Sequence, residues 1–373
     1  MNITIIGCGV VGAAIAYELS LVKGLNITVV DSQQPAQAST GAALGVLMGI
    51  VSHKIKGNAW RLRQTSMQRY ETLIPELQAL TGRNILFNRQ GIVMLLFEEA
   101  DSSTGISDWQ KLQEIRQYQG LSLEIWDTLQ LQQICPQVNN DKIIGAVYSP
   151  GDRQVDPTAL TLALVDAAKL YGVNFRFGVK VLQTSAPSGG EVNSLSCYQL
   201  QTTEGKIAAD WVVVAAGLGS SPLTAELQQM VDIRPVLGQA LQLHLGYTLG
   251  NPDFQPVITG DDVHIVPIGG GDYWVGATVE FPTHGNEIPP SQELLESVKQ
   301  QAIACCPELA KAVTIRTWSG LRPRPEGRPA PVIDKLPGYS NVLLATGHYR
   351  NGVLLAPATA AAIREMIISN PSK

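Results

Sequence analysis

Gly7, Gly9 and Gly12 stand at the spacing G-x-G-x-x-G in the opening stretch MNITIIGCGVVGAAIAYELS, and Asp31 closes the next apolar run, NITVVD. Those residue types at that spacing can hold an adenine dinucleotide. The first glycine turns the chain sharply out of a strand, the second lets the backbone approach a pyrophosphate, and the third lets helix and strand pack closely. A carboxylate ending the second strand accepts hydrogen bonds from ribose hydroxyls, and a helix N-terminus offers its N–H groups and dipole to phosphate. Charge-binding groups recur near the other end of the chain. Arg316 precedes WSGLRPRPEGRPAPVID, in which Arg322, Arg324 and Arg328 alternate with prolines, so the composition predicts a stiff loop carrying anion-binding side chains. Further on, the polar loop GHYRNG opens a helix near Gly352 whose N-terminus can face a negative charge.

These groups need elements to hold them. ITII is a β-branched run suited to a strand buried on both faces, and AAIAYELSL has helical spacing that puts Ala14, Tyr17 and Leu21 on one face. With NITVVD as a second strand, the opening reads βαβ in about thirty residues. A tight turn inside an ordinary core is the competing reading of the glycines. The strand before them, the helix after them and the acid at Asp31 together favour dinucleotide binding. KIAADWVVVAAG predicts a core strand whose end, at Gly217, must be small because something packs on it. NVLLAT is another strand, and PTALTLALVDAAKLYGV is an amphipathic helix leading into a strand NFRFGVKVLQT. GQALQLHLG and the two halves of DVHIVPIGGGDYWVGATVEF read as strands, the latter pair joined by a Gly-rich turn. Between Asp31 and these, SQQPAQASTGAALGVLMG lets a flat or extended group lie along the backbone, and Ser39 and Thr40 offer hydroxyls to phosphate or ribityl oxygens. A flexible loop is the alternative.

Composition removes several classes. At 373 residues with 45% apolar content, the chain is long enough for two domains. A net charge of -5 argues against sequence-independent nucleic-acid binding, so the expected partner is a small molecule. Cys8, Cys135, Cys197, Cys305 and Cys306 are odd in number and lack a CxxC pattern, which favours reduced thiols in a cytoplasm over disulfides or zinc. His53, His244, His284 and His348 show no ligand spacing, so no metal is expected. The apolar N-terminus lacks a positive leader and carries Glu18, unlike a signal peptide, and no other run is expected to span a membrane.

The glycine fingerprint, Asp31, ASTGAALG, VVVAAG, GLRP and GHYRNGVLLAP occur in an order and at spacings that resemble the D-amino acid oxidase family of FAD-dependent oxidoreductases over nearly the whole chain. Within it the sequence is most similar to the glycine oxidases, the type linked to thiamine biosynthesis. The resemblance implies an α/β fold: a doubly wound, Rossmann-like FAD domain from residues 1–85, 145–225 and 320–373, with a substrate domain of mixed or antiparallel sheet from 86–144 and 226–319. It implies noncovalent FAD and oxidation of glycine or a small relative. Hydride passes from the α-carbon to flavin, the imine hydrolyses to a 2-oxo acid and ammonia, and dioxygen takes the electrons to give hydrogen peroxide. A homo-oligomer is also implied, with no interface legible in the sequence. Two other readings stay open, a dehydrogenase of similar fold with a quinone or protein acceptor, and a nonenzymatic NAD-binding Rossmann protein.

By the same resemblance Gly7, Gly9 and Gly12 hold the pyrophosphate and Asp31 the adenosine ribose, while Thr40, Ala42, Ala43, Gly45 and Val46 line ribityl and isoalloxazine. The backbone of Lys180 meets adenine. Arg350, Asn351, Gly352, Val353 and Leu354 cover the flavin pyrimidine edge, where helix N–H groups stabilise the negative charge of the reduced ring. Arg322 clamps the substrate carboxylate. Trp318 and Tyr349, which border the two arginine motifs, are candidates for the pocket wall, with ordinary core packing as the alternative. The chain departs from the glycine oxidase pattern at His264, where a tyrosine is usual, at Asp262, where a histidine is usual, and at Val279, where a methionine is usual. His264 is therefore a candidate substrate contact, with a partly buried strand histidine as the alternative, and Asp262 would favour a substrate carrying an extra positive group.

Overall fold

The computed structural model describes residues 1–98, 105–185, 196, 199–283 and 287–369. The β-branched opening becomes the strand Asn2–Ile6 at the middle of a six-stranded sheet. Strand order is Val332–Lys335, Val342–Thr346, Trp211–Val214, Asn2–Ile6, Asn26–Asp31, Asn174–Phe177. All neighbours run parallel except the edge pair Val332–Lys335 and Val342–Thr346. Parallel strands covered on both faces need continuous apolar runs, and WVVV and VLLAT are buried at every residue.

The helix Val10–Ser20 begins before Gly12 and is buried nearly all round, because it packs on the helices Pro157–Leu170 and Gly352–Ile368. Leu21 caps the helix and is exposed, whereas Ala14 and Tyr17 on the helix are buried. One segment, Tyr349–Ile368, is long and apolar enough to cross a membrane by length and composition, contrary to expectation. Its apolar surface is spent inside the protein, against the helices Val10–Ser20 and Gly57–Thr81.

A second, eight-stranded sheet runs Val313–Pro325, Ile233–His244, Asp272–Gly276, Val263–Gly269, Val257–Gly260, Ile92–Phe97, Ile143–Ser149, Glu124–Trp126. It is mixed: only Val257–Gly260 and Ile92–Phe97 pair in parallel. Of the Arg- and Pro-rich segment expected to be a loop, residues 318–325 belong to the strand Val313–Pro325 at the edge of this sheet, while 326–331, with Arg328, form the connection to Val332–Lys335. Proline is tolerated in the strand because an edge strand has one side without ladder partners. The run NFRFGVKVLQT breaks at Gly178, whose φ of 76° turns the chain from Asn174–Phe177 into Val181–Ser185, a strand of a separate three-stranded sheet. The breaks expected at 145 and 320 fall inside Ile143–Ser149 and Val313–Pro325 of the eight-stranded sheet.

Candidate functional site

Four parallel strands end together. Gly7 follows Asn2–Ile6, Asp31 ends Asn26–Asp31, Ala215–Gly217 follow Trp211–Val214, and Gly347 follows Val342–Thr346, and all of them line one cavity of about 1480 Å³. The crevice beyond the carboxyl ends of parallel strands is where a doubly wound sheet binds its ligand. This one exceeds the roughly 300–1,000 Å³ of an ordinary small-molecule pocket, enough for an extended dinucleotide and a small substrate beside it.

The glycine cradle is fixed by sterics. Gly7 has φ 107°, and a Cβ on it would lie 2.4 Å from the carbonyl oxygen of Ala215. A Cβ on Gly12 would lie 2.0 Å from the Gly7 oxygen, so Gly12 serves the packing of helix on turn and does not line the cavity. Both oxygens of Asp31 are oriented by backbone N–H groups, of Cys8 at 2.6 Å and Gln33 at 2.8 Å. A carboxylate has about four lone-pair sites, so acceptor capacity remains on the cavity side.

Ser39, Thr40, Ala42, Ala43, Gly45 and Val46 all line the cavity, but the first two hydroxyls have structural partners. Ser39 donates to the Leu321 carbonyl at 2.5 Å, and Thr40 accepts from the N–H of Val10 at 3.1 Å. The small residues of ASTGA have a second cause beside cavity access. The helix Ala38–Ala42 lies so close to the strand Val313–Pro325 that a Cβ on Gly320 would sit 2.3 Å from that of Ala42, and Trp318 donates its indole N–H to the Ala42 carbonyl. Trp318 therefore packs on the cradle without lining the cavity, which Tyr349 does line. Lys180 lines it too, with its backbone N–H given to the Thr203 hydroxyl and its carbonyl taken by the Thr203 N–H. Of the C-terminal segment, Arg350, Gly352 and Val353 face the cavity, whereas Asn351 and Leu354 do not.

At the far end the groups come from the eight-stranded sheet. Arg322 donates from Nη1 to the carbonyls of Leu237 and Thr278, both at 3.0 Å. Its guanidinium lies against Gly238, where a Cβ would meet Nη2 at 2.2 Å. Nε and Nη2 have no acceptor, and the side chain no ion-pair partner, among the described residues. Burial, followed by the charge of Arg350, pulls its pKa below the ordinary arginine value.

His264 lines the same region, with Nδ1 3.0 Å from the Thr259 hydroxyl. Burial lowers its pKa to about 4, so the ring is neutral at pH 7. His348 is buried, lowered to about 4 by desolvation, and 2.9 Å from the Thr359 hydroxyl through Nε2. That hydroxyl gives its hydrogen to Leu355, so Nε2 of His348 is the donor. Asp262 pairs with Arg350 at 3.5 Å. Val279 lines the cavity, as do Glu287, Ile288, Pro289 and Pro290. Cys8, Cys135, Cys305 and Cys306 are buried and free, and Cys197 and His284 lie outside the described residues.

Gly238, Glu280 and the wall 287–290 had no signal in the sequence. Gly238 matters only because Arg322 lies on it, and those two residues meet through sheet pairing.

The profile of the family described as FAD dependent oxidoreductase matches residues 2–366. The chain is 34% identical over 379 residues to the bifunctional protein ThiO/ThiG of Synechocystis, covering 98% of this chain and 51% of that protein. It thus spans about half the length of such bifunctional relatives. It is 31% identical over 372 residues to the glycine oxidase of Bacillus subtilis, covering 98% of this chain and 92% of that one. The crystal structure of glycine oxidase from Geobacillus kaustophilus superposes with a TM-score of 0.86 at 25% identity, over 98% of this chain and 94% of that one.

Proposed function

The chain belongs to the family of FAD-dependent oxidoreductases, and from that premise we propose that it oxidises the Cα–N bond of glycine or a similarly small amino acid or secondary amine, with dioxygen as acceptor. The reading divides the chain into an FAD domain built on the six-stranded sheet and a substrate domain built on the eight-stranded one. The cradle fits FAD: two glycine positions exclude any side chain, an oriented carboxylate stands at the ribose end, and the cavity continues to the substrate end. When bound, FAD supplies the two-electron acceptor for hydride transfer.

One observation carries the choice of substrate. A guanidinium held by two carbonyls, with its remaining donors unclaimed by the described residues, opens on the cavity that also contains the glycine cradle. Such a group binds a carboxylate through two parallel N–H···O bonds and so fixes the orientation of the attached α-carbon. The partly apolar surroundings, with Val279, Ile288 and Pro289, disfavour an ammonium and favour the neutral amine from which hydride can leave. His264, neutral and lining the same cavity as Arg322, would contact the amine without adding charge.

Purified protein with its flavin absorbance recorded, then assayed for peroxide with glycine, sarcosine and D-alanine, tests this. The expected result is a yellow protein that releases peroxide with at least one of the three. A protein that stays colourless with added FAD, or a yellow one reduced by none of these amines, overturns the reading. Anaerobic reduction by an amine with no peroxide in air transfers it to the dehydrogenase class.

A further inference from the structure

Glu280 is 7% exposed and makes no ion pair in contact among the described residues, although the Arg322 guanidinium is near enough to feel its charge. A buried carboxylate with no cation in contact is held by the hydrogen bonds that replace its hydration. Here there are three. Oε1 accepts from the Gln239 side-chain amide at 2.8 Å and the Thr278 hydroxyl at 2.5 Å, and Oε2 accepts the backbone N–H of Ser291 at 2.9 Å.

The three donors belong to three parts of the substrate end. Gln239 adjoins Gly238, on which the Arg322 guanidinium lies. Thr278 supplies one of the two carbonyls that hold Arg322 Nη1. Ser291 caps the helix Gln292–Cys305 and follows directly on the wall 287–290, and its carbonyl takes a second bond from Gln239 at 2.7 Å. The other carbonyl holding Arg322 belongs to Leu237, and Leu237 pairs with Glu280 through both backbone groups, at 2.9 and 3.0 Å. Glu280 thus touches both residues whose carbonyls hold Arg322: Leu237 through backbone bonds that any residue would make, and Thr278 through its carboxylate, which takes the Thr278 hydroxyl hydrogen.

We propose that Glu280 is a positioning residue of the substrate site, holding the Arg322 guanidinium and the wall 287–290 in the one arrangement that receives a carboxylate. The proposal rests on the reading of Arg322 as the carboxylate-binding group. Ser291 and Gln239 present N–H groups that only an acceptor can satisfy. Glutamine at 280 offers one acceptor oxygen and turns an NH₂ toward one of those donors, which pushes the wall or Gln239 away.

In the FAD-loaded Glu280→Gln protein, KM for the best amine substrate rises about tenfold while kcat falls less than about threefold, and the Kd for acetate, read from the flavin spectrum, rises in parallel with KM. Acetate carries the carboxylate without the amine, so a merely loosened fold does not single it out. Glu280→Asp, which keeps the charge but shortens the arm, gives an intermediate value. Where Glu280→Gln does not accumulate folded, Thr278→Val carries the test with a rise of about threefold. KM and acetate Kd within about twofold of the parent in the folded variants overturn the proposal. Arg322→Lys run alongside separates the two ideas. If it leaves KM and acetate Kd unmoved, the reading of Arg322 fails; if it weakens both while the Glu280 variants do not, only the role of Glu280 fails.

Discussion

The two ends of the cavity are built in opposite ways. The residues of the nucleotide end are close in sequence: Gly7, Gly9, Gly12 and Asp31 lie within one βαβ unit, and its tightest contacts are of backbone on backbone, Gly7 against the Ala215 carbonyl and Gly12 against that of Gly7. The substrate end is assembled from afar: Arg322, His264, Glu280 and Leu237 arrive on separate strands or their extensions, and its geometry is enforced by side-chain hydrogen bonds. Backbone constraints tolerate no added atom, whereas side-chain networks degrade by a bond at a time. The first end should therefore fail abruptly under substitution and the second by degrees.

The most abrupt failure is expected at Gly7. Gly7→Val places Cβ 2.4 Å from a carbonyl oxygen at a φ of 107°. The predicted outcome is a protein without flavin, seen as loss of visible absorbance per mole of chain. Gly24 is the control, since it shares a positive φ of 84° but has nothing within 4 Å of its Cβ position. Gly24→Ala should cost about 1 kcal/mol in a urea titration and keep the flavin. A yellow Gly7→Val protein would break the comparison at its stronger end.

Arg322→Ala comes next. Losing a charge-assisted bidentate contact should lower kcat/KM by about 10²–10³ with FAD content retained. Loss of flavin as well would mean that the two ends are not separable.

Smaller still is the effect of pH through His348. Its ordinary pKa of 6.5 is lowered by burial to about 4, so between those values the unfolded chain binds a proton that the folded protein refuses. Stability then falls as pH drops from 6.5 toward 4, by roughly 2–3 kcal/mol at the lower limit, and His264 shifts in the same direction. Urea midpoints at pH 7 and pH 5 should differ less in His348→Gln than in the parent. An equal difference in both would remove His348 as a source of the acid sensitivity.

The same contrast explains what the sequence made legible. Gly7 to Asp31 could be read directly because the unit that uses those residues is contiguous: its two strands appear where the apolar runs put them, and its helix only starts earlier, at Val10, and stops before Leu21. Arg322 was picked out by the resemblance of GLRP, while the local composition around it pointed to a loop. Pro323 and Pro325 look like breakers until the sheet order shows that their strand is an edge. Glu280 and Gly238 left no trace, since a lone acid in VEFP and a glycine in VLGQ acquire meaning only when the strand Ile233–His244 pairs with both Val313–Pro325 and Glu280. Asp262 was legible as a charge but not as half of a pair.

That pair supplies the smallest prediction. From sequence, an acid near the entrance invites a substrate with an extra cation. The structure gives Asp262 a partner, Arg350, at 3.5 Å, with side chains 76% and 41% exposed. An exposed pair of this kind contributes at most about 1 kcal/mol and is weakened by salt. Its local field on an incoming ligand is largely cancelled, because the two charges are adjacent and in water. Asp262→Asn should therefore change KM for glycine by less than about threefold and leave the ratio of kcat/KM for glycine over D-lysine within about the same factor. A tenfold swing in that ratio at physiological salt would show that Asp262 acts on substrate through an unpaired charge, and that the substrate end is tuned by long-range electrostatics as well as by the contacts around Arg322.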